Sequence, residues 1–268
     1  METLYNYISY INKKYDLTII DCHTHMFGKG KILTYPHEYP INGKISMVEN
    51  SIAHPDRSLF DDFKSYINFG EVTDKNKLLC VGKDAEETIK IYNTFKSKIS
   101  GFGEIKCYKR GVNSHGDIIE IYDTSILQAV INKGLPVFIH WDLDGKHDEE
   151  LYEIIKSNPN TKFVLCHAGI GELTNPDKSF KTAARYQSKL TNLWLSISWV
   201  ALDYFIKDDF QSATNKLSMI PIPDHVLVGT DFNPEMNNRN ISFEDRYKKF
   251  LSIYKQFNVP VALNNLFR

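Results

Sequence analysis

The chain has almost no net charge, few cysteines and no long apolar run, and each shortage removes a class of function. Lys and Arg total 32 against 33 Asp and Glu, a formal charge of −1, so no global basic field would gather nucleic acid or an anionic membrane. No stretch approaches the about 18 consecutive apolar residues of a membrane-spanning helix. Met1 to Lys14 places Glu2, Asn6 and Ser9 among its apolar residues, unlike a secretory h-region. Leu4, Ile8 and Ile11 within it have the spacing of a short amphipathic helix. The four cysteines, Cys22, Cys80, Cys107 and Cys166, each sit in or at the end of an apolar run. That placement suits small buried thiols in a reducing compartment better than disulfides, and a cytoplasmic location is the expectation.

What the chain does have is 268 residues, 42% of them hydrophobic and 24% charged, enough for a substantial core. Short runs rich in Val, Ile, Leu and Phe recur with helical stretches between them, the pattern of βα units and a parallel sheet. Strands are expected at Leu17 to Cys22, Lys44 to Val48, Leu78 to Val81, Gly101 to Cys107, Pro136 to His140, Lys162 to Cys166, Leu193 to Ser198 and His225 to Gly229. Helices are expected at Leu59 to Ile67, Ala85 to Lys96, Ser125 to Lys133, Asp148 to Lys156, Ser179 to Leu190, Tyr204 to Leu217 and Phe243 to Tyr254. No linker, repeat or low-complexity tract divides them. Eight such units predict one (β/α)8 barrel domain over residues 1–268. An open doubly wound sheet is the alternative, but the first βα turn has no G-x-G-x-x-G.

In such barrels the chemistry lies at the carboxyl ends of the strands. Reading only those ends gives His23 and His25 on the first strand, Glu104 and Lys106 on the fourth, His140 on the fifth, His167 on the sixth and Asp231 after the eighth. Positions i and i+2 of a strand share a face, so His23 and His25 would aim two imidazoles at one point. Imidazole and carboxylate are good ligands for Zn²⁺ and related ions, and a catalytic site keeps a position for water. An ion there brings the pKa of that water toward about 7. A nearby carboxylate can carry its proton to a leaving group, and a further histidine can stabilise a developing oxyanion. By the same alternation, Cys22 and Cys166 should turn away from His23 and His167, which argues against a Cys-His zinc site.

The segments IIDCHTH, PVFIHWD, FVLCHAG and VLVGTDFNP, in this order, resemble the amidohydrolase superfamily, most closely its amidohydrolase-related branch of decarboxylases and small-ring or lactone hydrolases. The resemblance implies that His23, His25, His140 and Asp231 ligate a metal. It implies that Asp231 transfers protons and that His167 polarises the water or substrate. The closing ALNNLFR is similar to the family's terminal helix, so the chain is expected to be complete. Glu104 resembles the metal-bridging carboxylate of TatD-like deoxyribonucleases, and Lys106 resembles the lysine that other members carboxylate to bridge two metals. The plain alternative is that Glu104 and Lys106 pair with each other or with the substrate. Trp141 stands where adenosine-deaminase-like members have glutamate, which argues against nucleoside deamination.

The expectation is thus a hydrolase in which a metal-activated water attacks an amide, lactone or related carbonyl of a small molecule. One Zn²⁺ is expected, with a second metal left open. Non-oxidative decarboxylation on the same site and a TatD-like DNase are the rival readings, the near-neutral charge weighing against nucleic acid. Lys106, His54 and Trp199 are candidate substrate contacts, with Arg57, Lys109 and Arg110 as candidate clamps for a substrate carboxylate. The long first βα loop, with Tyr35 and Tyr39, reads as a lid or as irregular surface. Asp142 either orients the His140 ring or caps the next helix, and Asp21 is read as a structural group below His23. A carboxylated substrate and a homodimer are both compatible with the sequence.

Overall fold

A computed structural model describes residues 19–24, 27–28, 31–32, 45–49, 77–112, 118–206, 210–231 and 243–268. Eight parallel strands follow one another in chain order: β1 (Ile19–Thr24), β2 (Ile45–Glu49), β3 (Lys77–Cys80), β4 (Ile99–Lys106), β5 (Val137–His140), β6 (Phe163–Leu165), β7 (Leu193–Ile197) and β8 (Val226–Val228). Each is hydrogen-bonded to the next, for instance Phe163 opposite both Val137 and Leu193. The first and last strands meet as well. The Asp231 N–H donates to the His23 carbonyl at 2.7 Å, so the sheet closes on itself as a (β/α)8 barrel. All eight expected strands are present, with ends shifted by at most two residues. The shift in β1 matters most, because it places His23 inside the strand.

The helices cover the outside of the barrel: α1 (Ala85–Phe95), α2 (Ser125–Val130), α3 (Asp148–Ser157), α4 (Pro176–Gln187), α5 (Val200–Phe205), α6 (Phe210–Leu217), α7 (Phe243–Tyr254) and α8 (Val259–Phe267). Their starts follow ordinary capping chemistry. Asp84 accepts from Glu87 N at α1, and Asn175 accepts from Lys178 N at α4, with Pro176 supplying a preset φ. That Asn-Pro pair moves the start of α4 ahead of the expected Ser179. The expected helix from Tyr204 to Leu217 is instead α5 and α6, because Ile206 leaves helical geometry at φ −117° and ψ 62°. The expected helices at Met1 to Lys14 and Leu59 to Ile67 lie outside the described residues. Among the described residues, no helix is long and apolar enough to cross a membrane.

Strand faces explain the core. β5, β6 and β8 are buried along their whole length, as strands covered on both faces must be. One side chain set, including Phe102, Phe138, Phe163 and Leu195, joins the strands to the helix layer in a single cluster. Outside the barrel, Tyr108–Val112 pairs antiparallel with Ile118–Tyr122 directly after β4, and this hairpin carries Lys109 and Arg110. A two-residue pair, Phe27–Gly28 with Lys31–Ile32, follows β1.

The closing seam has no room for a side chain. A Cβ on Gly229 would lie 2.4 Å from the His23 nitrogen and 2.5 Å from its Cβ. We expect Gly229→Ala to lower unfolding free energy by about 1–3 kcal/mol, measured by urea denaturation. None of the four cysteines forms a disulfide and all are buried, and burial pushes the Cys80 and Cys107 thiols up. The folded protein should therefore resist a thiol-specific chromogenic reagent that titrates all four sulfurs once denaturant is added.

Candidate metal centre

The mouth of the barrel gathers polar groups from five strands. β1 brings His23, β4 brings Glu104, β5 ends in His140, the turn after β6 holds His167, and Asp231 follows β8. All but Glu104 are buried, and the Glu104 side chain is only 10% exposed. Glu104 stands at the centre. Its Oε1 lies 2.7 Å from His140 Nδ1 and 3.0 Å from His167 Nε2, and its Oε2 lies 3.6 Å from His23 Nε2. Asp231 Oδ1 completes the set, 3.4 Å from the same His23 nitrogen.

Local backbone explains how short strands aim these groups together. The β4–β5 register slips between Phe102 and Ile105, and Glu104 lies within the slip, a device that re-aims a side chain at a sheet's rim. After Leu165 the chain leaves β6 in a tight turn, with His167 at φ 55° and Ala168 at φ 52°. Strand alternation therefore does not extend to Cys166 and His167, which corrects the argument that turned the Cys166 thiol away. Cys166 is buried, and burial together with nearby Glu104 and Asp231 raises its thiol well above the ordinary value. Trp199 and Asp231 also have positive φ, 47° and 54°. The Trp199 ring stands 5.2 Å from that of His167 and 6.3 Å from that of His140, as one wall of the centre.

The charges are interdependent. Burial alone would raise Glu104, but the charges and hydrogen bonds of His140 and His167 hold it well below the usual carboxylate range. Burial works against a charge on His140, yet Glu104 and Asp142 together lift it to about 9. For His23 burial wins over Glu104 and Asp231, and its pKa falls. Asp142 is drawn below the ordinary value, against its own burial, by His140 and Tyr108. Tyr108 Oη donates to Asp142 Oδ2 at 2.9 Å and lies 3.1 Å from His140 Nε2, while Asp142 Oδ1 lies 3.4 Å from the same nitrogen. Asp142 thus orients the His140 ring with Nδ1 toward Glu104. The residue before α3 is His147, so the helix-cap alternative for Asp142 falls away.

This donor set fits a divalent ion. One donor atom each from His23, Glu104 and His167 lies within 4.8 Å of the others. Ligand atoms bonded at about 2.0–2.2 Å around a tetrahedral ion sit about 3.3–3.6 Å apart. The His23–Asp231 and His23–Glu104 separations of 3.4 and 3.6 Å have that spacing.

Glu104 and Lys106, two residues apart on β4, do not behave alike. Glu104 engages the histidines, whereas Lys106 is exposed, its ammonium 5.0 Å from the Tyr108 ring centroid. His25, His54 and Arg57 lie outside the described residues. Sequence reasoning missed Tyr108, Ser196 and Ser198. For the serines a signal existed, since two hydroxyls at i and i+2 fall in and just past an otherwise apolar strand. For Tyr108 there was none.

Comparison with known proteins follows this geometry. The amidohydrolase family profile matches residues 109–247, which include His140, Asp142, His167 and Asp231 but not His23 or Glu104. A search of curated proteins finds no match. Among solved structures, a probable 2-pyrone-4,6-dicarboxylic acid hydrolase from Acinetobacter baumannii with citric acid bound is 14% identical, at a TM-score of 0.61 over 94% of this chain and 99% of the other. An amidohydrolase from Burkholderia multivorans with bound zinc is 12% identical, at 0.56 over 93% and 98%. A dihydroorotase is 16% identical, at 0.57 over 91% and 66%. These likenesses carry the barrel fold.

The hydrogen bonds around His140 predict the effect of removing Asp142. Asp142→Asn should weaken divalent-metal binding about 10- to 100-fold in a chelator competition. Tyr108→Phe should cost less, because Asp142 Oδ1 still faces His140 Nε2. Because the family profile spans just over half of the chain, the protein belongs to the amidohydrolase family.

Proposed function

We propose that the protein is a metal-dependent hydrolase of small molecules, and one observation carries the reading: three imidazoles and two carboxylates from five strand ends converge at the barrel mouth. His23, Glu104, Asp231 and His140 would hold the ion, with His25 as the fifth candidate from its place in the sequence. Zn²⁺ suits this mixture of nitrogen and oxygen donors. A bound divalent ion would supply polarisation of a carbonyl and a lowered pKa for water. Glu104, with both oxygens turned to imidazoles, is also the residue that would bridge a second ion.

The chain's own residues do the rest. The Asp231 carboxylate accepts a proton from the attacking water as the water oxygen bonds to an amide or lactone carbonyl carbon. It returns that proton to the nitrogen or oxygen that departs when the carbon–heteroatom bond breaks. His167 faces the centre through Nε2 and stabilises negative charge on the carbonyl oxygen. Trp199 walls the site, reducing access of bulk water. Lys106, at the rim beside Tyr108, offers a cation to a carboxylated substrate.

Metal analysis of the purified protein should find a stoichiometric divalent ion, and His23→Ala should lose most of it. A protein that binds none, or a variant with unchanged content, would overturn the proposal. Asp231→Asn should lower turnover by about 10²- to 10⁴-fold in a screen of amides and lactones with metal content monitored in parallel. Released CO2 in place of a hydrolysis product would point to the decarboxylase reading, which uses the same donors.

A further inference from the structure

β7 supplies none of the five converging groups, yet one hydroxyl on it and another just past its end lie directly behind them. Ser196 in β7 and Ser198 one residue beyond the strand are both fully buried. Ser198 Oγ lies 2.9 Å from His167 Nδ1 and 3.3 Å from His23 Nδ1. Ser196 Oγ lies 3.4 Å from His23 Nδ1 and 3.3 Å from Ser198 Oγ. The opposite nitrogen of each ring, Nε2, faces Glu104. A single hydroxyl therefore touches the rear nitrogens of two histidines whose front nitrogens share one carboxylate.

A hydroxyl has one proton to donate and two lone pairs to accept with, and a neutral imidazole has one N–H and one acceptor nitrogen. A ligand histidine presents a lone pair to its ion, so its proton sits on the other ring nitrogen, and the partner of that N–H fixes the tautomer. With His23 ligating through Nε2, its Nδ1–H donates to the Ser196 and Ser198 oxygens. Ser198 then has its own proton directed at the nearer acceptor, His167 Nδ1. That leaves the His167 proton on Nε2, the nitrogen facing the centre. With Glu104 engaged by the ion, Ser198 is the group behind His167 that holds this arrangement.

We propose that Ser198 is a positioning residue that makes His167 a hydrogen-bond donor through Nε2 instead of a metal ligand, linking its tautomer to that of His23. Ser196 shares the His23 proton and leaves Ser198 free to serve His167. The inference rests on the metal-centre reading above, and it adds a specific protonation state to the one histidine that could serve either as ligand or as donor.

Long-range ¹H–¹⁵N correlation spectra of ¹⁵N-histidine-labelled protein, with zinc content measured separately, test it. In the zinc-loaded protein His23 should be the Nδ1–H tautomer and His167 the Nε2–H tautomer. Ser198→Ala should populate the Nδ1–H form of His167, Ser198→Thr should restore Nε2–H, and Ser196→Ala should leave His167 unchanged. Zinc affinity should fall by no more than about tenfold in Ser198→Ala, because Ser196 still accepts from His23. A zinc-loaded wild-type protein with His167 in the Nδ1–H form, or a His167 tautomer indifferent to Ser198→Ala, would overturn the inference alone. Failure to take up zinc would overturn the metal-centre reading and this inference with it. A wild-type spectrum with His167 in the Nδ1–H form overturns the inference even if a variant does not fold.

Discussion

The hydrogen bond from the Asp231 N–H to the His23 carbonyl joins the two ends of the chain's sheet and, in doing so, builds one side of the candidate metal centre. A parallel sheet left open at this point would expose unpaired backbone groups on both edges. Closing it at His23 brings together two residues more than two hundred positions apart in the sequence. Their side chains then meet at a distance suited to sharing an ion. Gly229 makes the approach feasible because the space a side chain would need is already taken by His23. The barrel's closure and the candidate centre therefore depend on the same few atoms.

Glu104 has a complementary role. A buried carboxylate without partners would shed its charge, and a buried imidazole without partners would do likewise. Packed together, Glu104 and His140 favour one another's charged forms. The partners behind them extend the arrangement outward, with Tyr108 and Asp142 behind His140, and Ser196 and Ser198 behind His23 and His167. Each ring of the described set is held from two sides, which reduces the reorganisation needed when an ion or substrate arrives.

The barrel was legible in the sequence because its signal is periodic and strong. Uninterrupted apolar runs such as Val137–Ile139 and Phe163–Leu165 cannot lie on a solvated face, and helical segments separate them. Where the reading of the fold failed, a local geometry had overridden the period. Ile206 breaks what looked like one helix, and the Asn175–Pro176 cap starts α4 early. The polar strand ends were legible for the same reason as the strands, each following an apolar run, with His140 and His167 the first polar residues after theirs. The direction in which they point was not. His167 is aimed by a left-handed turn, and Glu104 by a slipped register, neither of which residue spacing encodes. Tyr108 was invisible because its role arises from a contact with His140, 32 residues away.

Among the described residues, the four non-glycine positions with positive φ all lie where the chain leaves β6, β7 and β8: His167, Ala168, Trp199 and Asp231. Such a conformation costs an L-residue on the order of 1–2 kcal/mol, and glycine would adopt it freely. Three of the four nevertheless carry side chains that face the centre. A search for thermally hardier versions of this protein would be drawn to these positions, where glycine relaxes the backbone and removes an imidazole, an indole or a carboxylate. Robustness and activity are set against each other here at the level of single residues, and the discomfort of three strand exits records which of the two has prevailed.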